Sequence, residues 1–292
     1  MLEASHFEVN EAYAAIERHQ LQDYEPHIYR TRDSGKTWTE ITNGLPKGIY
    51  VQTVKEDPER RGLLFAGTER TVFVSFDDGD LWQSLQLNLP PASMRDLAIH
   101  ENDLIVATHG RGFWVIDNMS ALRQISNETA QARAVLFQPA EAIQVIPGSD
   151  NGTPMPRDEP LAENPAAGAA IDYYLKTNSS GMVTLEILDP SGEMVRRYSS
   201  DDKFPAVNPD TLSIPAFWVR TPEPLSAAAG MHRLIWDFRP TPPQRPAGGG
   251  GGGGGFGRGV TLVLPGVYSV RLTVEGKTFT QQLVVKPDPR SK

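Results

Sequence analysis

The sequence predicts an all-β protein, and two observations carry that prediction. Residues 31–38 (TRDSGKTW) and 75–82 (SFDDGDLW) share the pattern Ser/Thr-x-Asp-x-Gly-x-x-Trp at a spacing of 44 residues. From residue 171 onward, short runs alternate apolar and polar side chains, the period of two that is typical of half-buried strands. The repeat predicts a partial β-propeller of about three blades, and the alternating runs predict an antiparallel β-sandwich.

The repeated pattern describes a tight turn between two strands. In each copy the aspartate can accept backbone N–H groups across the turn, the glycine suits a positive φ, and the tryptophan begins the next strand. We expect these aspartates to be structural and the tryptophans to pack inward, as two further tryptophans should. The residues are Asp33, Gly35 and Trp38 in the first copy, Asp77, Gly79 and Trp82 in the second, and Trp114 and Trp236 elsewhere.

Each copy ends a run of four predicted strands, which is the layout of a propeller blade. Blade one is predicted at residues 2–9, 12–18, 28–32 and 38–41. Blade two is predicted at residues 49–55, 63–67, 72–76 and 82–87. Blade three is predicted at residues 94–100, 103–108, 113–117 and 134–137, without a second turn motif after Asp117.

On this motif and its flanks, residues 1–140 resemble the Asp-box (BNR-like) propellers, whose relatives include sialidases, xyloglucanases and sortilin-type receptors. That resemblance implies a propeller but no single activity, because the family mixes enzymes with binding proteins. Sialidase chemistry would imply three arginines and a tyrosine, for which the chain offers Arg18, Arg70, Arg111 and either Tyr24 or Tyr50. Because most of the blades that would supply the usual set are missing, these roles are not carried over.

Three blades are fewer than the about four to eight that close a propeller. We therefore expect the chain to be a C-terminal piece of a longer Asp-box protein, and we expect its open faces to associate. A homodimer, which would supply six blades, is the favoured oligomer. Asp-box proteins of this type are usually exported, but Met1 opens on a predicted strand without a signal peptide, so the location stays open.

The second half divides into a linker and a sandwich. Residues 141–170 are predicted to be a linker, and residues 171–290 a sandwich with strands at 171–175, 183–187, 231–238, 268–274 and 278–285. The phrases GMHRLIWD and PGVYSV resemble immunoglobulin-like modules of FlgD type, which implies a spacer or docking role. Residues 240–260 are rich in proline and glycine and are predicted to be a disordered loop between strands. They are not predicted to bind phosphate, because no helix follows them to supply an anion site.

Composition excludes several classes of function. The formal net charge of −8 argues against a nucleic-acid partner, and no run of 18 apolar residues could span a membrane. The chain has no cysteine, which removes disulfides, thiolate nucleophiles and Cys-ligated zinc.

The loops opposite the Asp-box turns collect most of the candidate functional residues, on what we call the top face. Imidazoles with a carboxylate suit zinc or manganese, and neighbouring arginines suit a developing anion. The predicted metal ligands are His6, His19, His27, His109 and Asp23. The predicted catalytic residues are His19, His109, Arg111 and Glu69, and the predicted binding residues are Arg70, Asp96 and Arg18.

These residues predict a hydrolase that acts on an ester, phosphoester or glycosidic bond of a small-molecule or glycan ligand, with or without a divalent transition metal. Two alternatives stay open. The first is a non-catalytic module that binds a glycan or a peptide, and the second is an inactive fragment of a larger secreted protein. In either alternative the same side chains are polar loop residues without a catalytic role.

Overall fold

The computed structural model describes residues 1–145, 165–204, 208–213, 222–241 and 262–290. The chain divides into two units, Met1–Ser126 and Asn127–Lys292. In the described residues of both units, the regular secondary structure is almost wholly strand. The helical elements among the described residues are the five-residue helix α1 (Asn127–Gln131) and the short 3-10 turns His19–Leu21, Leu122–Gln124 and Pro209–Thr211. The all-β prediction is therefore confirmed.

The first unit contains three successive antiparallel sheets, each with its strands in chain order. Blade one consists of β1 (Leu2–Ala4), β2 (Ala12–Ala15), β3 (Ile28–Thr31) and β4 (Thr39–Glu40). Blade two consists of β5 (Val51–Glu56), β6 (Leu64–Thr68), β7 (Val72–Ser75) and β8 (Trp82–Ser84). Among the described residues, blade three consists of β9 (Met94–His100), β10 (Asp103–Thr108) and β11 (Phe113–Ile116).

The predicted fourth strand of blade three, residues 134–137, belongs elsewhere, and this part of the prediction is wrong. It forms β12 (Ala134–Leu136), which pairs with β14 (Ala169–Leu175) in the second unit. The inward residues Ala134 and Leu136 are buried in the core of that unit. An alternating pattern shows which face of a strand is buried. It does not show which sheet the strand joins, because the pairing partner is distant in the sequence.

Both Asp-box turns form as predicted. The Asp33 carboxylate accepts the Thr37 N–H at 2.8 Å, and Gly35 adopts a φ of +82°. The Asp77 carboxylate accepts the Leu81 N–H at 2.9 Å, and Gly79 adopts a φ of +87°. In both turns the leading hydroxyl, from Thr31 or Ser75, accepts the glycine N–H at 2.9 Å.

The tryptophans that follow these turns differ. Trp82 is buried between blades one and two, and its indole N–H donates to the Ile41 carbonyl at 2.7 Å. Trp38 is 40% exposed, so the prediction that it packs inward is wrong. Trp82 faces the preceding blade, whereas the described residues of this unit supply no sheet on the corresponding side of blade one. Of the other two tryptophans, Trp236 is buried and Trp114 is partly buried.

The second unit is a β-sandwich. One sheet has the order β12-β14-β17, and the other has the order β13-β19-β18-β15-β16, with one parallel pair between β13 and β19. Their apolar faces share one core that includes Tyr173, Leu185, Trp236 and Val270. The remaining strands are β13 (Ala142–Gln144), β15 (Val183–Leu188), β16 (Met194–Ser199), β17 (Gly230–Trp236), β18 (Gly266–Val274) and β19 (Lys277–Pro287).

Two predicted segments lie largely outside the described residues. They are most of the linker at 141–170, of which residues 142–144 form β13, and the loop at 240–260. Residues 127–140, predicted as part of the blades, lie in the second unit. The likeness to immunoglobulin modules of FlgD type stays a prediction.

Candidate functional site

The top face of the first unit is the end at which the inner strands β1, β5 and β9 begin. The loops between the second and third strands of each blade emerge there, at residues 16–27, 69–71 and 109–112. The Asp-box turns and the loops that leave the inner strands lie at the opposite end. For example, the Ser34 N–H of the first Asp-box donates to the Asn10 carbonyl, in the loop after β1.

His6 lies at the Asp-box end, so the prediction that it joins the other histidines on the top face is wrong. β1 ends at Ala4, and the chain has already left the inner strand when it reaches His6. The His6 N–H donates to the Glu56 carboxylate, at the far end of β5, at 2.7 Å, and the imidazole lies 3.7 Å from Glu3. The error arose because β1 is three residues long, whereas the sequence predicted a strand of eight residues.

Asp23 contacts several other residues in the top loop of blade one. Its carboxylate accepts the Glu25 N–H at 3.1 Å, lies 3.1 Å from the His27 imidazole and pairs with Arg18 at 3.0 Å. The Glu25 backbone N–H, followed by His27, lowers the pKa of Asp23 below its usual value. The other ring nitrogen of His27 lies 3.4 Å from Glu40. Predicted residues Arg18, Asp23 and His27 therefore do come together, in a network that uses both imidazole nitrogens.

An aromatic patch, formed by His19, Tyr24 and Tyr50, joins this loop to blade two. The His19 ring stacks on Tyr50 with centroids 4.8 Å apart, and Tyr24 lies 6.3 Å from Tyr50 at a tilt. Tyr24 is 48% exposed, whereas Tyr50 is nearly buried. Burial, with Glu69 and Glu17 nearby, raises the pKa of Tyr50. The patch therefore presents apolar ring surface within reach of carboxylates.

Glu69 and Arg70 border the patch on blade two. The Glu69 N–H donates to the Tyr50 carbonyl at 3.2 Å, which fixes the loop against the start of β5. Arg70 lies 3.8 Å from the Glu69 carboxylate and is largely exposed. On the other side of the loop, the Ala92 N–H donates to the Arg70 carbonyl at 3.2 Å, so the surface continues to blade three.

The predicted residues of blade three make contacts of their own. Asp96 accepts the Leu97 N–H at 2.9 Å and lies 3.4 Å from the Thr53 hydroxyl. His109 donates its backbone N–H to the Ser93 carbonyl at 2.8 Å. The Arg111 carbonyl accepts the Trp114 indole N–H at 3.1 Å. These are contacts that hold a loop or a strand end in place.

The proposed metal ligands do not form a common donor set in this arrangement. Within the described ranges, no group of three or more histidine, aspartate or glutamate side chains is placed to hold a metal ion. His6 lies at the other end of the blades, and His19 is in contact with the Glu17 carboxylate while stacking on Tyr50. Zinc or manganese binding stays a prediction that this geometry does not favour.

Sequence reasoning identified Tyr24 and Tyr50 only as candidates for a sialidase tyrosine and did not consider Glu17. The stacking of His19 on Tyr50 joins two blades, and no local pattern encodes it. A signal was nevertheless present, since Tyr50 precedes an inner strand and Glu17 and His19 belong to a loop that reaches the same face.

Comparisons with known proteins relate the first unit to a propeller family. The profile of the Sortilin-Vps10 family, described as sortilin, neurotensin receptor 3, matches residues 26–121. The vacuolar protein sorting/targeting protein 10 of Pyrenophora teres f. teres is 33% identical over 76 residues, and that of Pyrenophora tritici-repentis is 30% identical over 76 residues. In each case the alignment covers 26% of this chain and 5% of the relative, so the chain spans a small part of these proteins.

Two solved structures with some likeness are propellers of the GH74 type. An ancestral GH74 enzyme is 19% identical, with a TM-score of 0.34, over 41% of this chain and 17% of its own. The GH74 xyloglucanase from Xanthomonas campestris is 15% identical, with a TM-score of 0.31, over 49% of this chain and 25% of its own. Among the described residues, no helix is both long and apolar enough to cross a membrane.

Proposed function

We propose that the first unit is part of a non-catalytic, sortilin-type propeller module that recognises a peptide segment of another protein on its top face. The observation that carries this proposal is the aromatic patch of His19, Tyr24 and Tyr50, which spans two blades and leaves Tyr24 exposed. The profile match to a family named for a receptor, and relatives named for protein sorting and targeting, support binding over hydrolysis. Such names also favour a protein of the secretory pathway.

The chemistry of the patch suits a basic side chain beside an apolar one. The exposed ring of Tyr24 can hold a cation over its face, and the carboxylates Glu17 and Glu69 lie near the neighbouring Tyr50. Two of the nearby arginines should not repel such a cation strongly, because Arg18 is paired with Asp23 and Arg70 lies close to Glu69. Tyrosine and histidine also supply contact area at a low cost in conformational entropy.

The hydrolase hypothesis depended on histidines that converge, together with a metal or a positioned base. His6 is at the opposite end, and among the described residues no hydrogen bond or ion pair joins His109 or Arg111 to His19 or Glu69. Hydrolysis of an ester, phosphoester or glycosidic bond is therefore the second candidate, and the test of the first proposal includes it as an arm.

Selection from a displayed library of random linear peptides, with the chain immobilised, tests the proposal. We expect enrichment of peptides that carry arginine or lysine next to an apolar residue. Tyr24→Ala should weaken the enriched peptides by about tenfold, the loss typical of one aromatic anchor. The matched control is Phe7→Ala, an aromatic residue 38% exposed in the loop after β1, which should bind as the parent does.

Three results would contradict the proposal. One is the absence of any enriched peptide, and another is an equal loss in the Tyr24 and Phe7 variants. The third is turnover of an ester, phosphoester or glycoside panel, with or without zinc or manganese, that disappears in His19→Ala and His109→Ala. That last outcome would restore the hydrolase hypothesis. If the chain binds glycans on an array and selects no peptide, the result would support a glycan-binding role for the patch instead.

A further inference from the structure

The charge of the top face changes from blade one to blade three. The top loop of blade one, residues 16–27, carries one arginine and three carboxylates, which are Glu17, Asp23 and Glu25. The top loop of blade three, residues 109–112, has the sequence HGRG and carries no carboxylate. In a chain with a formal net charge of −8, the blade-three loop is therefore unusual in its charge.

Three side chains at this end of blade three form what we call the basic patch, and they are Arg95, His109 and Arg111. All three residues are exposed. The His109 N–H donates to the Ser93 carbonyl at 2.8 Å, which holds the loop beside the start of β9, two residues before Arg95. The Thr108 hydroxyl donates to the Gly112 carbonyl at 2.7 Å and closes the loop. The loop therefore has a defined position beside Arg95.

The two arginines of the basic patch have no carboxylate partner among the described residues. The Arg95 guanidinium lies 3.5 Å from the side-chain oxygen of Gln52, which is a neutral group. Arg111 contacts Trp114 through its backbone carbonyl, which accepts the indole N–H at 3.1 Å. Both guanidinium groups therefore have donors that a ligand can use.

The carboxylates closest to the basic patch in sequence or in the fold are engaged elsewhere. Asp96 follows Arg95 directly, but its carboxylate accepts the Leu97 N–H at 2.9 Å and lies 3.4 Å from the Thr53 hydroxyl. Glu69, on blade two, lies 3.8 Å from Arg70. These carboxylates reduce the positive potential of the patch, but neither pairs with Arg95.

Tyr50 joins the basic patch to the aromatic patch. On the blade-one side, Tyr24 lies 6.3 Å from Tyr50, between ring centroids. On the blade-three side, Arg95 is close enough to act on the same phenol. Burial, together with Glu69 and Glu17, raises the pKa of Tyr50, whereas Arg95 acts to lower it. The two patches therefore lie side by side on one surface.

We propose that the top face binds one peptide through two parts, a basic and apolar part on the aromatic patch and a part with acidic side chains on the basic patch. This role of the basic patch rests on the peptide-binding function proposed above. The acidic side chains pair with Arg95 and Arg111, because a planar guanidinium presents parallel donors to a carboxylate. The partner is therefore a segment whose basic and acidic residues are separated along the chain, and not one that is basic throughout.

The distance between blades sets the spacing of the two parts. Sheets that pack face to face lie about 10 Å apart, so the two steps from blade one to blade three span about 20 Å. An extended chain advances about 3.3 Å per residue, so about six residues should separate the basic part from the acidic part. A much shorter spacer cannot reach both patches.

Defined peptides test both the acidic part and its spacing. The probe carries an uncharged dye, the sequence Arg-Leu-Arg-Leu, a spacer of about six glycine and serine residues and then three glutamates. Both termini are blocked, so that only side chains are charged, and the two parts are made in both orders. In fluorescence polarisation with the whole chain, the better order should bind about tenfold more tightly than the same peptide with three glutamines. A spacer of one residue should lose most of this gain.

Variants of the protein locate the gain. Arg95→Gln combined with Arg111→Gln should remove the advantage of the glutamate peptide over the glutamine peptide. The matched control is Arg61→Gln, because Arg61 is an exposed arginine at the Asp-box end, 2.8 Å from Glu8, and its loss should leave the advantage near tenfold. Tyr24→Ala should weaken both peptides by the same factor. Equal melting temperatures for these variants would show that the fold is retained.

Five outcomes would overturn the two-part peptide. They are no binding of either peptide, equal binding of both, a gain that does not depend on the spacer, a gain that persists without Arg95 and Arg111, and a gain that appears only when the C-terminal carboxylate is free. Any of these, alongside enrichment of basic and apolar peptides from the random library, would leave the function of the aromatic patch standing. Conversely, a glutamate gain that ignores Tyr24→Ala would make the basic patch a separate anion site and would also remove the two-part peptide.

Discussion

The junction between blades one and two and the junction between blades two and three are both apolar cores. They differ in the side chains and turns that close them. Between blades one and two, the Trp82 ring is buried in the core, and Asp78 of the same turn accepts the Tyr13 hydroxyl and pairs with Arg30 at 2.9 Å. Between blades two and three, a small open pocket lies beside Leu85 and Trp114. A short 3-10 turn brings Arg123 to Asp57 at 2.9 Å instead of an Asp-box.

This difference shows that the Asp-box turn and the burial of its tryptophan are separate properties. Trp38 and Trp82 follow turns with the same hydrogen bonds, yet one is 40% exposed and the other 2%. The turn forms from its own residues, whereas burial requires a neighbouring sheet. The following predictions test the comparison between the junctions, from the largest effect to the smallest.

The tryptophan pair should give the largest contrast. Trp82→Ala should lower the free energy of unfolding by about 3 to 5 kcal/mol, because it leaves a large cavity and removes the partner of the Ile41 carbonyl. Trp38→Ala should cost less than about 1 kcal/mol, since its ring is partly in solvent. Urea unfolding of both variants provides the measurement. Similar losses would mean that Trp38 is covered in solution, as an oligomer would require.

The ion pair at the second junction should give the next largest effect. Asp57 is fully buried, and its carboxylate accepts the Arg123 guanidinium. Arg123→Ala should therefore cost about 3 kcal/mol, because it removes the ion-pair partner of a buried carboxylate and leaves it with the Glu59 and Arg60 N–H groups as donors. Arg61→Ala is the control, because its pair with Glu8 is exposed and should be worth less than about 0.5 kcal/mol. Equal midpoints in a denaturant series would contradict this assignment.

A valine pair compares the covered and open faces of the third strands. Val74 is 3% exposed in the core between blades two and three, and its counterpart Val115 is 48% exposed. Val74→Ala should cost about 2 kcal/mol for the lost carbon atoms and the cavity, and Val115→Ala less than about 0.5 kcal/mol. Thermal unfolding of the two variants side by side would show the difference. A large cost at Val115 would indicate that something already covers this face of blade three.

The free energy of unfolding at acid pH should report on the hydrogen bonds of the first Asp-box turn. The Thr37 backbone N–H, followed by the Thr37 hydroxyl, lowers the pKa of Asp33 below its usual value of 3.8. Since the folded state binds this proton less tightly than the unfolded chain, the stabilisation is complete above about pH 4 and is lost as the pH falls through the lowered pKa. Asp33→Asn should flatten the fall of unfolding free energy below pH 4. An unchanged pH profile would remove Asp33 from this role.

Local patterns in the sequence predicted the turns and most strand positions well. The Asp-box pattern encodes its own hydrogen bonds, because Asp33, Thr31 and Gly35 lie within five residues of each other. The alternating runs of blade two predicted β5 to β8 to within a few residues. The same reasoning found most of the β-sandwich strands. It missed β13, which it assigned to the linker, and β16, whose outward and half-buried residues weaken the alternation.

Properties that depend on distant partners were not encoded in this way. Residues 134–137 carry a strand pattern, and only pairing with β14 shows which sheet they join. His6 was placed on the top face because its strand was predicted to be longer than it is. The stacking of His19 on Tyr50, across 31 positions of sequence, and the pocket beside β11 both arise from packing between blades.

Site-resolved amide hydrogen exchange tests the central claim, that β11 offers an open edge where β7 is paired. The amide of Val74 should be protected, because Val74 is paired with Gln83 of the fourth strand of blade two. The amide of Val115, its counterpart, should exchange rapidly, because β11 is the last strand of its sheet among the described residues. Equal protection at Val74 and Val115 would contradict the claim.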